Sequence, residues 1–212
     1  MPFGLSDWDD AIQKIIEAST TRKLSIIVEK SMPFNLRDWI EDIIRYRNPQ
    51  GLKFSVLSNP DFISQGTAVR ELKDPKRVVI AKNHGHGEDV LRLQQLYPQY
   101  VPVERILIAD DHKTVEMGKL WSSVYPAMTH TFGNVMPSIC GSIGADSNDV
   151  RRNIGCADSE SYMGASIGFG GPVIQDISYL KSVLHRDGLK LESDMLNQII
   201  KLKEDKEKRR GL

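Results

Sequence analysis

Apolar residues first recur at helical spacing over residues 8–18, where Trp8, Ile12, Ile15 and Ile16 fall on one face. The run Leu24-Ser25-Ile26-Ile27-Val28 breaks that period and predicts a buried strand, leading into Glu29-Lys30-Ser31. Trp39, Ile40, Ile43 and Ile44 restore the helical spacing, and Asn48-Pro49-Gln50-Gly51 predicts a turn. Three further apolar runs predict strands at Phe54 to Leu57, Arg77 to Ala81 and Arg105 to Ile108, with a helix over residues 88–97 between the last two. Short continuous apolar strands alternating with helices indicate an α/β arrangement with a parallel or mixed sheet covered on both faces.

From Thr114 onward the pattern is helical throughout. Met117, Leu120, Val124 and Met128 keep the spacing, while Pro126 and Pro137 each remove a backbone donor and predict a kink or an interruption. Gly144-Ala145-Asp146 separates this segment from a short helix around Val150. Three glycines in four positions, Gly168, Gly170 and Gly171 around Phe169, exclude a helix or strand interior and allow close approach to the main chain. A helix from Tyr179 to Leu184 and a last helix from Ser193 follow, and the charge-rich segment from Lys203 to Arg210 is expected to be a frayed, solvated end.

Composition narrows the function classes. The chain has 212 residues, with Lys+Arg 28 against Asp+Glu 28 and a hydrophobic content of 40%. The charge balance gives no reason to expect a nucleic-acid partner, and no apolar run approaches the ~18 residues of a membrane span. The first ten residues lack the basic and apolar regions of a secretory signal, so a cytoplasmic protein is expected. Cys140 and Cys156 lack metal-type spacing and read as reduced thiols. His84 and His86 flank Gly85 but need further ligands, so no metal is expected.

Five ordered blocks resemble the UDP-glucose/GDP-mannose dehydrogenase family. Glu29-Lys30-Ser31 is similar to its strand-end Glu-Lys-Ser/Thr. The stretch Leu57-Ser58-Asn59-Pro60-Asp61-Phe62-Ile63-Ser64-Gln65-Gly66-Thr67-Ala68 is similar to its Leu-Ser-Asn-Pro-Glu-Phe-Leu-x-Glu-Gly-x-Ala signature. Asp74-Pro75 with Arg77-Val78, Glu116 to Leu120, and Gly144-Ala145-Asp146 with Gly168 to Gly171 complete the series. The resemblance implies a partial Rossmann-like domain over residues 1–112, then an all-helical central domain of the dimerisation type over residues 113–212. It also implies a homodimer or higher homo-oligomer built on the central helices. An apolar surface from Met117, Leu120, Trp121, Val124, Tyr125 and Met128 is wide enough for both core and partner.

The departures from the family pattern shape the functional expectation. The family's glycine loop continues with Ser-Cys, whose thiol is the covalent nucleophile of the second oxidation; here the matching position is Val173. The family's opening strand and Gly-x-Gly-x-x-Gly turn, which hold the cofactor pyrophosphate, have no counterpart, so neither a dinucleotide nor any other cofactor is expected. Asp61 and Gln65 replace the signature's two glutamates, Ser123 stands where the family has an asparagine, and Asp176 matches its catalytic aspartate only approximately. The resemblance implies that Lys119 points into the pocket, as an electrostatic clamp, acid or base. Asp61 is read either as a carboxylate at the ligand-binding edge or as a cap of the next helix. Asp110-Asp111-His112 reads as a turn and helix cap, and His130 as a pocket residue near the two prolines.

The expected function is therefore non-redox small-molecule chemistry of isomerase, lyase or cyclase type. Lys119, Asp61 and His130 act in it. Phe62, Gln65, Ser123, Phe169, Gly170, Gly171 and Val173 line a pocket for a partly apolar substrate. The alternative is a catalytically dead pseudoenzyme acting as a binding or regulatory subunit.

Overall fold

A computed structural model of the chain describes residues 5–19, 25–30, 34–48, 51–63, 66–82, 87–155 and 169–211. The elements run α1 (Leu5–Ala18), β1 (Ser25–Glu29), α2 (Leu36–Arg47), β2 (Phe54–Ser58), α3 (Ala68–Lys73), β3 (Val78–Ala81), α4 (Gly87–Gln94), β4 (Ile106–Ala109), α5 (His112–Ile143), α6 (Ser147–Asn153), α7 (Gly171–Arg186) and α8 (Lys190–Arg210). The chain divides into two compact units, residues 1–119 and 120–212, with the division inside α5.

In the first unit all four expected strands form. They make two parallel pairs: β1 with β2, Ile27 opposite Val56, and β3 with β4, Ile80 opposite Ile108. Among the described residues the expected parallel sheet takes the form of two two-stranded ladders. At their junction the Asn59 side-chain amide donates to the Val79 carbonyl at 2.8 Å, so a side chain supplies the cross-link.

Successive residues of β2 serve different cores, because strand side chains alternate between faces. Val56 joins Ile12, Ile40 and Ile44 of α1 and α2, while Leu57 joins Val78, Ile80, Val90, Leu93 and Tyr97 on the α4 side. Two covered faces bury β2 from Ser55 to Ser58, its two serines included. Burying a side chain such as Ile80, 0% exposed, contributes about 1.5–3 kcal/mol.

The second unit is helical. α7 buries Ile177, Leu180 and Val183 at three-residue spacing, and α8 buries Leu196 and Ile199. Lys181 Nζ donates to Asn197 Oδ1 at 2.9 Å and Ser193 Oγ to the Lys181 carbonyl at 3.2 Å, tying these two helices together. α5 ends on Gly144, whose φ of 74° suits a residue without Cβ. Asp146 then caps α6 by accepting from the Asn148 and Asp149 amides at 2.7 and 3.1 Å.

Two expectations need correction. Of the kink or interruption expected in α5, the interruption does not occur: the helix runs from His112 to Ile143 through Pro126 and Pro137. The two prolines lie 11 residues apart on the same exposed side, where neither ring displaces core packing. The charged C-terminal segment is not frayed: α8 continues to Arg210. Pairs four residues apart support it, Lys203 with Glu207 at 2.6 Å and Asp205 with Arg209 at 2.9 Å, and Lys206 hydrogen-bonds the Asn134 side chain.

Candidate functional site

Because β1 and β2 run parallel with Glu29 opposite Ser58, both chains leave the sheet at the same edge. That carboxyl edge is where open α/β sheets place ligands. The ladder extends past the strand ends: the Asn59 amide donates to the Glu29 carbonyl at 2.8 Å and the Asp61 amide to the Lys30 carbonyl at 3.3 Å. Lys30 and Asp61 are therefore brought face to face, with Nζ 2.9 Å from Oδ1.

Several side chains frame this pair. Tyr97 donates its hydroxyl proton to Asn59 Oδ1, and Lys30 Nζ lies 3.4 Å from the same phenol oxygen. Asn59, 1% exposed, is held at both ends of its amide. Lys119, from α5, donates to the main-chain carbonyl of Asp61. The Phe62 ring has the Arg77 guanidinium 4.2 Å and the Lys119 ammonium 5.6 Å from its centre, both within reach of its π face.

The cleft beside Asp61 has a volume of about 410 Å³, and Lys30, Asp61, Glu71, Lys76 and Arg77 give it a charged lining. Partial burial works against the Lys30 ammonium, but the Asp61 hydrogen bond and the nearby charges outweigh it and raise the Lys30 pKa. Lys30 is thus a permanent cation near neutrality: an electrostatic clamp or hydrogen-bond donor, and a poor base.

A second polar cluster lies where α2 meets the start of α5. Arg37, 7% exposed, donates Nε to the Val56 carbonyl at 3.0 Å and Nη2 to Glu41 at 2.5 Å. Its Nη1 lies 3.0 Å from His112 Nδ1. Arginine can only donate, so His112 Nδ1 is the acceptor in this contact. Nε2 lies 3.0 Å from an Asp38 carboxylate oxygen but is poorly aligned for a hydrogen bond. Glu116, 1% exposed, accepts from the Asn35 amide at 2.6 Å, which holds Asn35 in a left-handed conformation with φ 67°. Burial raises the Glu116 pKa against the opposing Asn35 bond and His112.

Of the residues singled out in the sequence, Asp61, Phe62 and Lys119 come together in the first unit. Asp61 does not cap a helix: α3 begins at Ala68 with Thr67 at its N-cap. Asp111 does cap, accepting from the Thr114 amide and hydroxyl at 2.8 and 2.6 Å. Gln65, His84, His86, Cys156 and Gly168 lie outside the described residues.

In the second unit, His130 and Phe169 line one pocket and Ser123 is half-buried on α5. Gly170 and Gly171 open α7, with Val173 half-buried in its first turn. Asp176 is half-buried one turn further along α7. Cys140 is a buried free thiol on α5. Lys30, Asn59, Tyr97 and Arg77 were not singled out as site residues. Lys30 had a usable signal, a cation directly after an apolar strand; Tyr97, some forty residues from Asn59, had none.

Two family models match the chain in sequence. The NAD binding domain of the UDP-glucose/GDP-mannose dehydrogenase family matches residues 3–101, and the central domain of the same family matches residues 113–204. The chain belongs to the UDP-glucose/GDP-mannose dehydrogenase family. Among curated relatives of this family, UDP-glucose 6-dehydrogenase 1 of Glycine max is 34% identical over 205 residues, 93% of this chain and 42% of the relative. UDP-glucose 6-dehydrogenase 1 of Arabidopsis thaliana is 32% identical over 204 residues, with the same coverage, 93% and 42%. The chain thus spans about two-fifths of the length of the curated relatives it matches.

The fold is likewise that of the family. A UDP-glucose dehydrogenase from Pyrobaculum islandicum superposes with a TM-score of 0.75 at 23% identity, covering 96% of this chain and 49% of that one. GDP-mannose dehydrogenase from Pseudomonas aeruginosa superposes with a TM-score of 0.58 at 22% identity, covering 95% and 47%. Among the described residues no helix is long and apolar enough to cross a membrane.

Proposed function

We propose that this chain does not perform the cysteine-dependent second oxidation of its family and instead handles a small molecule by non-redox chemistry at the Lys30–Asp61 edge. The observation that carries this reading is Val173. It occupies the first turn of α7 directly after Gly170-Gly171-Pro172, where the family's loop places its nucleophilic thiol, and an alkyl side chain forms no covalent adduct with an aldehyde. Cys140 does not substitute for it, since it is buried 33 positions away in another helix.

The retained groups suit proton transfer without hydride transfer. In this reading the Asp61 carboxylate takes a proton from the substrate and the Lys30 ammonium neutralises the oxyanion that develops. Lys119 fixes the main chain that presents Asp61. Isomerisation, elimination and cyclisation each need such a step. The charged lining of the cleft favours a substrate with polar or anionic groups at this end.

The test has two arms. With UDP-glucose, GDP-mannose or a UDP-N-acetyl sugar plus NAD, no reduced cofactor is expected; turnover above blank overturns the proposal. In deuterated water, the same sugar nucleotides are expected to take up solvent deuterium, and Asp61→Asn is expected to abolish the uptake.

A second reading has its own support. Lys119 gives its ammonium to a main-chain carbonyl and to the Phe62 ring, a use that stabilises the loop without any chemistry. If the chain binds a sugar nucleotide with no deuterium uptake in any arm, it acts as a binding or regulatory subunit.

The partner in either reading is a second copy of this chain. Trp121, Tyr125, Phe132 and Ile143 of α5 are 41% to 75% exposed. At about 100° per residue they fall within an arc of about 40°, forming a stripe about 33 Å long. Two such stripes related by a two-fold axis would cover each other. Light scattering that gives the mass of a single chain at micromolar concentration overturns the dimer.

A further inference from the structure

The second unit holds a pocket that the Lys30–Asp61 reading leaves unused. It lies between the C-terminal half of α5 and the last turns of α8, and its volume is about 310 Å³. That is the lower end of the range for small-molecule sites, roughly 300–1,000 Å³. Its apolar wall comes from Val135 and Ile139 of α5, Leu202 of α8 and the Phe169 ring. Ile139 and Leu202 remain 57% and 42% exposed, so the wall presents apolar surface that a ligand would cover.

The other wall is charged. Lys203, Lys206 and Arg209, spaced three residues apart on α8, line the pocket with Asp205 and Glu207: three cations against two carboxylates, a net charge of +1. Of the three cations, Lys203 and Lys206 are partly buried and held in place. Glu207 binds Lys203 at 2.6 Å, Asp205 binds Arg209 at 2.9 Å, and Lys206 reaches across the pocket to Asn134 on α5. The Lys203 side chain is 11% exposed, and its ammonium lies 5.9 Å from the centre of the Phe169 ring. Cations fixed beforehand lose little side-chain freedom when an anion arrives.

We propose that this pocket binds a small amphipathic carboxylate, its apolar body against Val135, Ile139, Leu202 and Phe169 and its anionic end at Lys206 and Arg209. The apolar wall selects the body and the net positive wall selects the charge. Nothing in this requires chemistry at Asp61, so the pocket is a binding site in its own right.

Calorimetric titration of the full chain with decanoate, and with decanol as its neutral counterpart, tests the proposal. Decanoate is expected to bind saturably at one per chain and at least about tenfold more tightly than decanol, the size of a difference of about 1.4 kcal/mol. Lys206→Gln is expected to remove most of that preference while decanol affinity stays unchanged. Ser138→Trp, which fills the pocket from an exposed position on α5, is expected to abolish decanoate binding with helix content unchanged by circular dichroism. Equal affinity for the two ligands overturns the proposal, as does the absence of saturation below the micelle concentration. Decanoate binding that survives Ser138→Trp in a folded protein overturns it as well.

Discussion

Seven of the nine buried polar or charged residues among those described lie in the first unit: Glu29, Arg37, Ser55, Ser58, Asn59, Asp89 and Glu116. Two, Thr131 and Ser193, lie in the second. The asymmetry follows from the elements. Helices satisfy their own main chain, so the second unit asks little of its side chains: Thr131 bonds back to Ala127 on its own helix, and Ser193 to a single carbonyl of α7. Strand ends leave amides and carbonyls that side chains must meet. Asn59 bridges two ladders, Arg37 holds the Val56 carbonyl and Glu116 holds the Asn35 amide. In this protein the polar groups that complete the fold of the first unit also build its charged edge, whereas the second unit pairs an apolar core with charge kept near its surface.

Truncating either core should have the largest effect. Ile80→Ala in the first unit and Ile177→Ala in the second, both 0% exposed, should each cost about 2–5 kcal/mol. Hydrogen exchange should show protection falling first in the unit that carries the substitution; equal loss in both units would mean that they unfold together.

Arg37→Ala should cost about 2–3 kcal/mol in denaturant unfolding, since it removes several charge-assisted bonds and strands the Val56 carbonyl. Arg37→Lys should recover little, because an ammonium lacks the planar fork that reaches three elements. A near-neutral Arg37→Ala would show that the buried network does not hold the unit.

Glu116→Gln tests the buried carboxylate of the first unit through pH. The folded-state pKa of Glu116 is raised by burial, so its contribution to stability is fully present below its unfolded pKa and is lost as pH rises through the folded value. The wild type should therefore lose stability from this group as pH rises from about 4.5 upward. Gln, which never ionises and can still accept from the Asn35 amide, should flatten that dependence and be the more stable form at pH 7. Melting both proteins across this range reads the difference directly, and parallel curves would refute it.

The smallest effect belongs to the surface of α8. Asp205→Asn should cost about 0.3–0.5 kcal/mol, as exposed pairs four residues apart do. Loss of helix in the last two turns would restore the frayed tail that the charge pattern suggested.

Most elements were legible because their apolar spacing is unambiguous: the four strands and the long α5 carry the periods of a buried strand and an amphipathic helix. The site was legible only in part. Asp61 and Lys119 stood out through motifs, and the structure adds the hydrogen bond from the Lys119 ammonium to the Asp61 carbonyl. The reading of α8 failed because charge density along one chain does not reveal a partner such as Asn134, 72 positions away.

The strands, most of the helices and the family were readable from the sequence. These depend on local periodicity and on residue identity. Only the tertiary structure decided that Lys30 faces Asp61, that Tyr97 closes on Asn59, and that α5 and α8 enclose a pocket with a cationic wall. Each of these joins residues far apart in the chain. Such pairs are fixed by the register of parallel strands and the packing of helices, which no local pattern encodes.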